Sequence, residues 1–193
     1  DDLRIVILPM AEEQTEETKA EARQFMVDLV SSAPQSADFK GGDGINMSAW
    51  RTAYAAATLS EDTPSSLMET FWSMYDPGDT TIWTMSYDEA DSNEDLDDTI
   101  AITTEFMKQT ESIKDHCFGI MHTLESLEIE GLWLFNGPDP ERLFGVNDDS
   151  SWFTWSQLGP EANDYVKKAV AEFLVPTDGK LKCKLIKETQ VLG

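Results

Sequence analysis

A chain of 193 residues is long enough for one large domain or a domain with a tail, and 40% hydrophobic content with 9 Phe, 6 Trp and 4 Tyr excludes wholesale disorder, because such side chains bury enough surface to offset chain entropy. The 14 basic residues against 37 acidic ones leave −23, a field that repels phosphate backbones and anionic headgroups and so excludes nucleic acid as an expected partner. The excess is uneven: residues 46–143 hold 20 acids and 4 bases, against 10 and 4 in 1–45 and 7 and 6 in 144–193, so a basic partner surface would find the middle of the chain most attractive.

In chain order, "RIVILPM" reads as a short strand or an extended arm. Residues 12–33 read as an acidic amphipathic helix, with Ala22, Phe25, Met26, Leu29 and Val30 on one stripe and a stop before Pro34. That stripe, Phe25, Met26, Leu29 and Val30, is the expected docking arm. "PQSADFKGGDG" has linker composition, which divides an N-terminal arm, helix and linker (1–45) from a main domain (46–193). "NMSAWRTAYAAA" and "TPSSLMETFWSMYD" follow as two short helices, the second with Thr63 as N-cap and Pro64 in the first turn.

From residue 80 the pattern alternates. "TTIWTMSY" is a strand, residues 95–114 a helix, "HCFGIMHTL" (116–124) and "GLWLFNG" (131–137) two strands of a hairpin, 159–174 a helix with Tyr165, Val166, Ala169, Val170 and Phe173 on one face, and "KLKCKLIK" (180–187) a last strand. Strand, helix, strand, strand, helix, strand is the order of a ferredoxin-like plait: an α+β fold with helices on one face of an antiparallel sheet, here with extra leading helices. The lysines of "KLKCKLIK" suit an edge strand with one wet face.

Few residues offer chemistry. The acidic loop 88–98, "DEADSNEDLDD", places Asp91, Asn93 and Asp95 like a calcium loop, but Leu96 stands where glycine is required and Ile102 where a bidentate glutamate belongs; a solvated loop leading into a helix N-terminus is the preferred reading over a weak cation site. His116 and His122 share a strand face without enough further ligands for a metal, and Cys117 beside His116 would point to the opposite face, so no dyad forms. Two cysteines, Cys117 and Cys183, suit free thiols in a reducing compartment. No phosphate-loop, dinucleotide, hydrolase or metalloprotease motif is present, no apolar run reaches the roughly 18 residues of a membrane span, and the sequon at Asn46 is taken as coincidence. The expectation is no cofactor, no metal and no enzyme activity.

The aromatic residues remain. Trp50, Tyr54, Phe71, Trp72, Trp83, Tyr87, Trp133 and Trp155 are either core or a concave interaction patch. Trp83, Met85 and Tyr87 share one strand face, and Trp133 and Phe135 point opposite to Leu132 and Leu134; one face cannot hold every ring, so some pack under the leading helices or line a surface. Phe71, Trp72 and Trp83 are expected to form core between those helices and the first strand, around the turn made by Asp76 and "PGD".

In this order "AWRTAY", "FWSMYD", "IWTMSY", "CFGIM", "GLWLFNG", "FTWSQLGP" and a closing Gly-Lys segment resemble the C-terminal conserved domain of translation elongation factor 1-gamma, from about residue 46 to 193. The resemblance implies a dished ferredoxin-like domain with extra helices and without enzyme activity. In that family the domain sits behind a glutathione-transferase-like half and a charged linker, inside the cytoplasmic complex that reloads elongation factor 1-alpha with GTP. Its motifs carry over to Phe71, Trp72, Asp76, Trp83, Tyr87, Gly131, Trp133, Phe135, Gly137, Thr154, Trp155 and Leu158. Departures lie on the surface: "DEADSNED" follows Tyr87 where a basic residue, an aromatic and Pro-Glu-Glu are usual, Ser48, Ala49, Ala55 and Ala56 replace polar positions of the first helix, and the helix before Cys117 has lost basic residues. The implied role is a protein-binding scaffold subunit of a larger complex, with reuse as an acidic assembly subunit elsewhere, in an organelle after removal of a leader, as the alternative. Asp1 in place of Met is the expected mark of a fragment or processed product.

Overall fold

The computed structural model describes residues 43–59 and 64–193. Among these residues five helices, α1 (Met47–Leu59), α2 (Pro64–Met74), α3 (Leu96–Thr110), α4 (Glu141–Phe144) and α5 (Asp164–Leu174), accompany six strands, β1 (Thr80–Tyr87), β2 (Cys117–Leu124), β3 (Ile129–Asn136), β4 (Phe153–Gly159), β5 (Lys180–Leu181) and β6 (Lys184–Val191). The expected N-cap Thr63 and the docking stripe Phe25, Met26, Leu29 and Val30 lie outside the described residues.

Local chemistry sets the helix starts. Asn46 Oδ1 accepts the Ala49 N–H at 2.9 Å, Asp95 accepts that of Asp98 at 2.9 Å, and Asn163 accepts that of Val166 at 3.0 Å, each satisfying a donor that the first helical turn leaves open. The cap at Asn163 explains why α5 begins at 164 rather than 159: Gly159 and Pro160 finish β4 and its turn. In α3, Asp97 and Asp98 in the first turn and Lys108 in the last both oppose the helix dipole favourably.

The strands form one antiparallel sheet in the order β4-β1-β3-β2-β6-β5. The register sets Trp83 opposite Trp133 and Gly119 opposite Trp133 on the other side. The α+β class and the antiparallel sheet expected from the sequence are present, with three differences. "FTWSQLG" is a strand, and it takes the edge beside β1; its alternation of Phe153 and Trp155 with Thr154 and Ser156 is a period-two signal. "KLKCKLIK" is a hairpin, reversing at Lys182 (φ 49°) and Cys183 (φ 68°), a left-handed turn without the usual glycine or asparagine that would have announced it.

The third difference concerns cover. Helices lie on both faces of the sheet, because side chains alternate along each strand and both sets are apolar. Ile82, Phe118, Ile120, Leu132 and Leu134 meet Trp50, Tyr54, Leu67, Phe71, Val166, Val170 and Phe173 from α1, α2 and α5 on the first face. Trp83, Met121, Trp133 and Phe135 meet Phe106, Met107, Leu143 and Phe144 from α3 and α4 on the second, where Phe153 and Trp155 also lie. β2, buried along its whole length, runs through the middle.

Candidate interaction surface

The eight aromatic residues divide between these faces. Trp50 and Phe71 have no exposed surface, and Tyr54 is buried beside them, with Trp50 meeting Phe71 at 5.0 Å and Phe118 at 5.7 Å, both edge to face. Trp133, also fully buried, stands between Phe106, Phe135 and Trp155 on the second face. Its ring lies flat over Gly119, where a Cβ would come within 2.4 Å of it. Trp83 lies on this second face, so it does not join Phe71 and Trp72 in one hinge: Ile82, one residue earlier, is what β1 offers to the leading helices. Trp72 and Tyr87 are the half-buried members; Trp72 receives Lys167 Nζ at 5.8 Å from its ring centre, and Tyr87 packs on Phe153 at 5.2 Å.

A polar clamp ties the leading segment to the sheet. Ile45 N–H donates to Asn136 Oδ1 (3.0 Å) and lies 3.2 Å from Thr80 Oγ1, while Asn136 Nδ2 donates back to the Ile45 carbonyl (2.8 Å). Gly44, at φ 66°, passes so close that a Cβ would fall 2.3 Å from Asn136 Oδ1. Arg51 makes the second tie: it is largely covered, its Nη1 donates to the Lys114 carbonyl at 2.6 Å, and its Nη2 lies 3.7 Å from Asp115 Oδ1. Arg51 and Asn136 therefore hold α1 against the start of β2 and the end of β3. Sequence reasoning placed both inside motifs without giving either a role, since clamps between distant segments leave no spacing signal.

Cys117 and His122 belong to the core. Burial pushes the Cys117 thiol up to about 12, against a smaller opposing pull from Arg51. His122 is buried, with Nε2 donating to the Phe173 carbonyl at 2.9 Å and Nδ1 accepting from Thr189 Oγ1 at 2.9 Å; burial lowers its proton affinity more than the backbone bond raises it. The neutral ring so pins α5 and β6 to β2. His116 is exposed in the turn before β2, so the two histidines do not share a strand face. Cys183 is exposed in the β5–β6 turn, and both cysteines are free thiols.

In the acidic loop, Asp95 caps α3 and Asp88 accepts from Thr154 Oγ1 at 2.7 Å. Among the described residues no group of three or more His, Cys, Asp or Glu is placed to hold a metal ion. A cleft of about 150 Å³ opens between the turn before β2 and the segment after β3, lined by Ile113, His116, Asn136, Pro138 and Arg142. Pockets for small molecules run to roughly 300–1,000 Å³, so this one is undersized.

The open surface lies elsewhere. On the first face the helix-covered core reaches β4 only at Leu158: nearer its start Thr154 and Ser156 stand exposed, and Thr84 and Ser86 beside them are half-buried. On the second face Phe153 and Trp155 seal the same strand. Trp152, 40% exposed, stands just before it. Tyr165, 74% exposed, leaves the first turn of α5 toward solvent.

Comparison with known proteins gives a consistent family. Residues 33–139 match the family model described as the elongation factor 1 gamma conserved domain. "Elongation factor 1-gamma 2" of Oryza sativa subsp. japonica is 28% identical over 116 residues, covering 57% of this chain and 28% of the rice protein. "Probable elongation factor 1-gamma 2" of Arabidopsis thaliana is 28% identical over 92 residues, covering 46% of this chain and 22% of the Arabidopsis protein. The match thus spans only about a quarter of the length of these relatives. No described helix is long and apolar enough to cross a membrane.

Proposed function

Since the chain belongs to the elongation factor 1 gamma conserved-domain family, we propose that it is a non-catalytic, protein-binding scaffold domain and a divergent subunit of the complex that recharges elongation factor 1-alpha with GTP, working with protein partners in the cytoplasm. The match over residues 33–139 is the observation that carries the reading. The packing supports it: the motif residues Phe71, Trp83, Trp133 and Trp155 are buried and build a framework, which leaves recognition to the surface. We read the sheet as a ferredoxin-like plait, since β4-β1-β3-β2 with α3 crossing between β1 and β2 has that order, extended at one edge by β6 and β5.

The non-catalytic part rests on the side chains. The Cys117 thiol stays protonated far above neutral pH, and His122 has both ring nitrogens engaged in the core, so the nucleophile and base most worth suspecting are committed to structure. A basic partner surface complements a chain of net charge −23.

Size-exclusion chromatography of the chain mixed with the purified nucleotide-exchange subunits tests the reading. Co-elution that weakens with added salt is the expected result. Separate elution at every ionic strength, with the chain folded, would contradict it.

A further inference from the structure

We propose that the free edge of β4 is a strand-addition site for an extended, basic segment of a partner protein, an assignment that rests on the reading of the domain as a protein-binding module. Among the described residues β4 pairs with β1 alone. The Asp88 N–H donates to the Trp152 carbonyl at 3.0 Å, which fixes the phase of the ladder. The period-two alternation then turns the backbone groups of Thr154 and Ser156 toward β1, where the Thr84 hydroxyl also reaches the Ser156 carbonyl at 3.4 Å. The Phe153 N–H is taken by the Ser150 carbonyl, whereas the backbone groups of Trp155 and Gln157 point outward, donors and acceptors in the spacing that an incoming strand requires.

Sheet edges usually carry a blocker, and the opposite edge of this sheet has several. β5 is 2 residues long, starts at Lys180, and turns back through Lys182 to Lys184. β4 has none of these devices: "FTWSQLG" is 7 residues without charge or proline, and its one register irregularity, opposite Ile82 and Trp83, lies toward the Gly159 end. Burial of Phe153 and Trp155 holds the strand in place, while exposed Thr154 and Ser156 leave the first face clear for the neighbouring side chains of an added strand.

Charge selects the occupant. From Phe144 to Asn163 there is no Lys or Arg, whereas Asp148, Asp149 and Glu161 flank the strand and Asp88 adjoins Thr154. A second copy of this chain would bring the same carboxylates edge to edge, and like charges so placed repel. A segment with Lys or Arg on either side of an alternating core gains from the same field.

The test uses the full chain, labelled for amide hydrogen exchange, with a short alternating Thr-Val peptide flanked by lysines as the probe and a glutamate-flanked version as its control. The Trp155 and Gln157 amides are expected to exchange quickly in the chain alone and to slow by about tenfold or more with the lysine peptide only. Gln157→Pro removes an outward N–H and is expected to abolish the protection, whereas Gln157→Ala retains it. Ser156→Lys, which keeps every backbone group, is expected to weaken it as well and decides the matter if the proline variant does not fold. Protection already complete in the dilute chain, protection that grows with protein concentration alone, equal protection by both peptides, or none by either would overturn the assignment. If Gln157→Pro folds and still co-elutes with the exchange subunits, the edge assignment fails while the scaffold reading stands; if the parent chain does not co-elute, the scaffold reading is what fails.

Discussion

The two faces of the sheet each carry an aromatic cluster but are covered from different parts of the chain. The first is closed by α1, α2 and α5, which come from opposite ends of the sequence and are secured by Arg51, Asn136 and His122. The second is closed by α3 and α4, which connect strands consecutive in the chain, and it combines ring packing around Trp133 and Gly119 with one buried clamp, Asn147 Nδ2 donating to the Phe106 carbonyl and the Thr110 hydroxyl of α3. Hydrophobic burial has no direction of its own, so both faces use polar clamps; the first, with cover drawn from more distant segments, uses more of them. That cover also leaves β4 half open on the first face, where the second face is sealed.

Substitutions can break this comparison. The largest effect is expected from Trp133→Ala and Trp50→Ala, one on each face, each losing about 3–5 kcal/mol in denaturant unfolding because a fully buried ring leaves a cavity. Phe71→Ala is expected to behave alike, while Trp72→Ala, next in sequence but half-buried, costs clearly less. Equal losses at Phe71 and Trp72 would contradict the assignment of the first face.

Next comes Asn136→Ala, which removes two bonds to the Ile45 backbone and is expected to cost about 1–3 kcal/mol, as is Asn147→Ala, its counterpart on the second face. The pH response isolates the first face. Burial depresses the proton affinity of His122 in the folded state, so the unfolded chain takes up the proton first as the pH falls. This contribution to stability is therefore whole above the ordinary imidazole value near 6.5 and is lost as the pH drops through it toward the lower folded value. Urea unfolding from pH 8 to 5 should show that decline in the parent and a smaller one in His122→Gln. Smaller still, Asp95→Ala should cost about 1 kcal/mol through the lost α3 cap. Replacing Lys182 and Cys183 by Asn and Gly should raise the melting temperature slightly, since both positions have positive φ.

Alternation made much of this legible in the sequence. It separated Trp133 and Phe135 from Leu132 and Leu134, and it marked β1, β2 and β3 to within about two residues, though the place expected for Trp83 under the leading helices is taken by Ile82. What it missed has physical causes. β4 is short and carries hydroxyl residues between its rings, so it looks less like a strand than "TTIWTMSY" does. The Lys182–Cys183 reversal uses residues that do not favour it, so nothing in "KLKCKLIK" interrupts the alternation. Helices on both faces follow from two apolar stripes per strand, which the element order alone did not reveal. The clamps at Arg51 and Asn136 join residues 63 and 91 positions apart, where no local pattern exists. Among the proposed patch residues, the sequence could not tell a ring with no exposed surface, such as Trp50, from a half-covered one, such as Trp72.

The most direct test is mass spectrometry of the proteins that co-purify with this chain at native abundance in mild salt. Recovery of elongation factor 1-alpha together with its nucleotide-exchange subunits is the predicted result. Recovery of a stable assembly that lacks them would contradict the account, and would mean that the family framework serves a different complex.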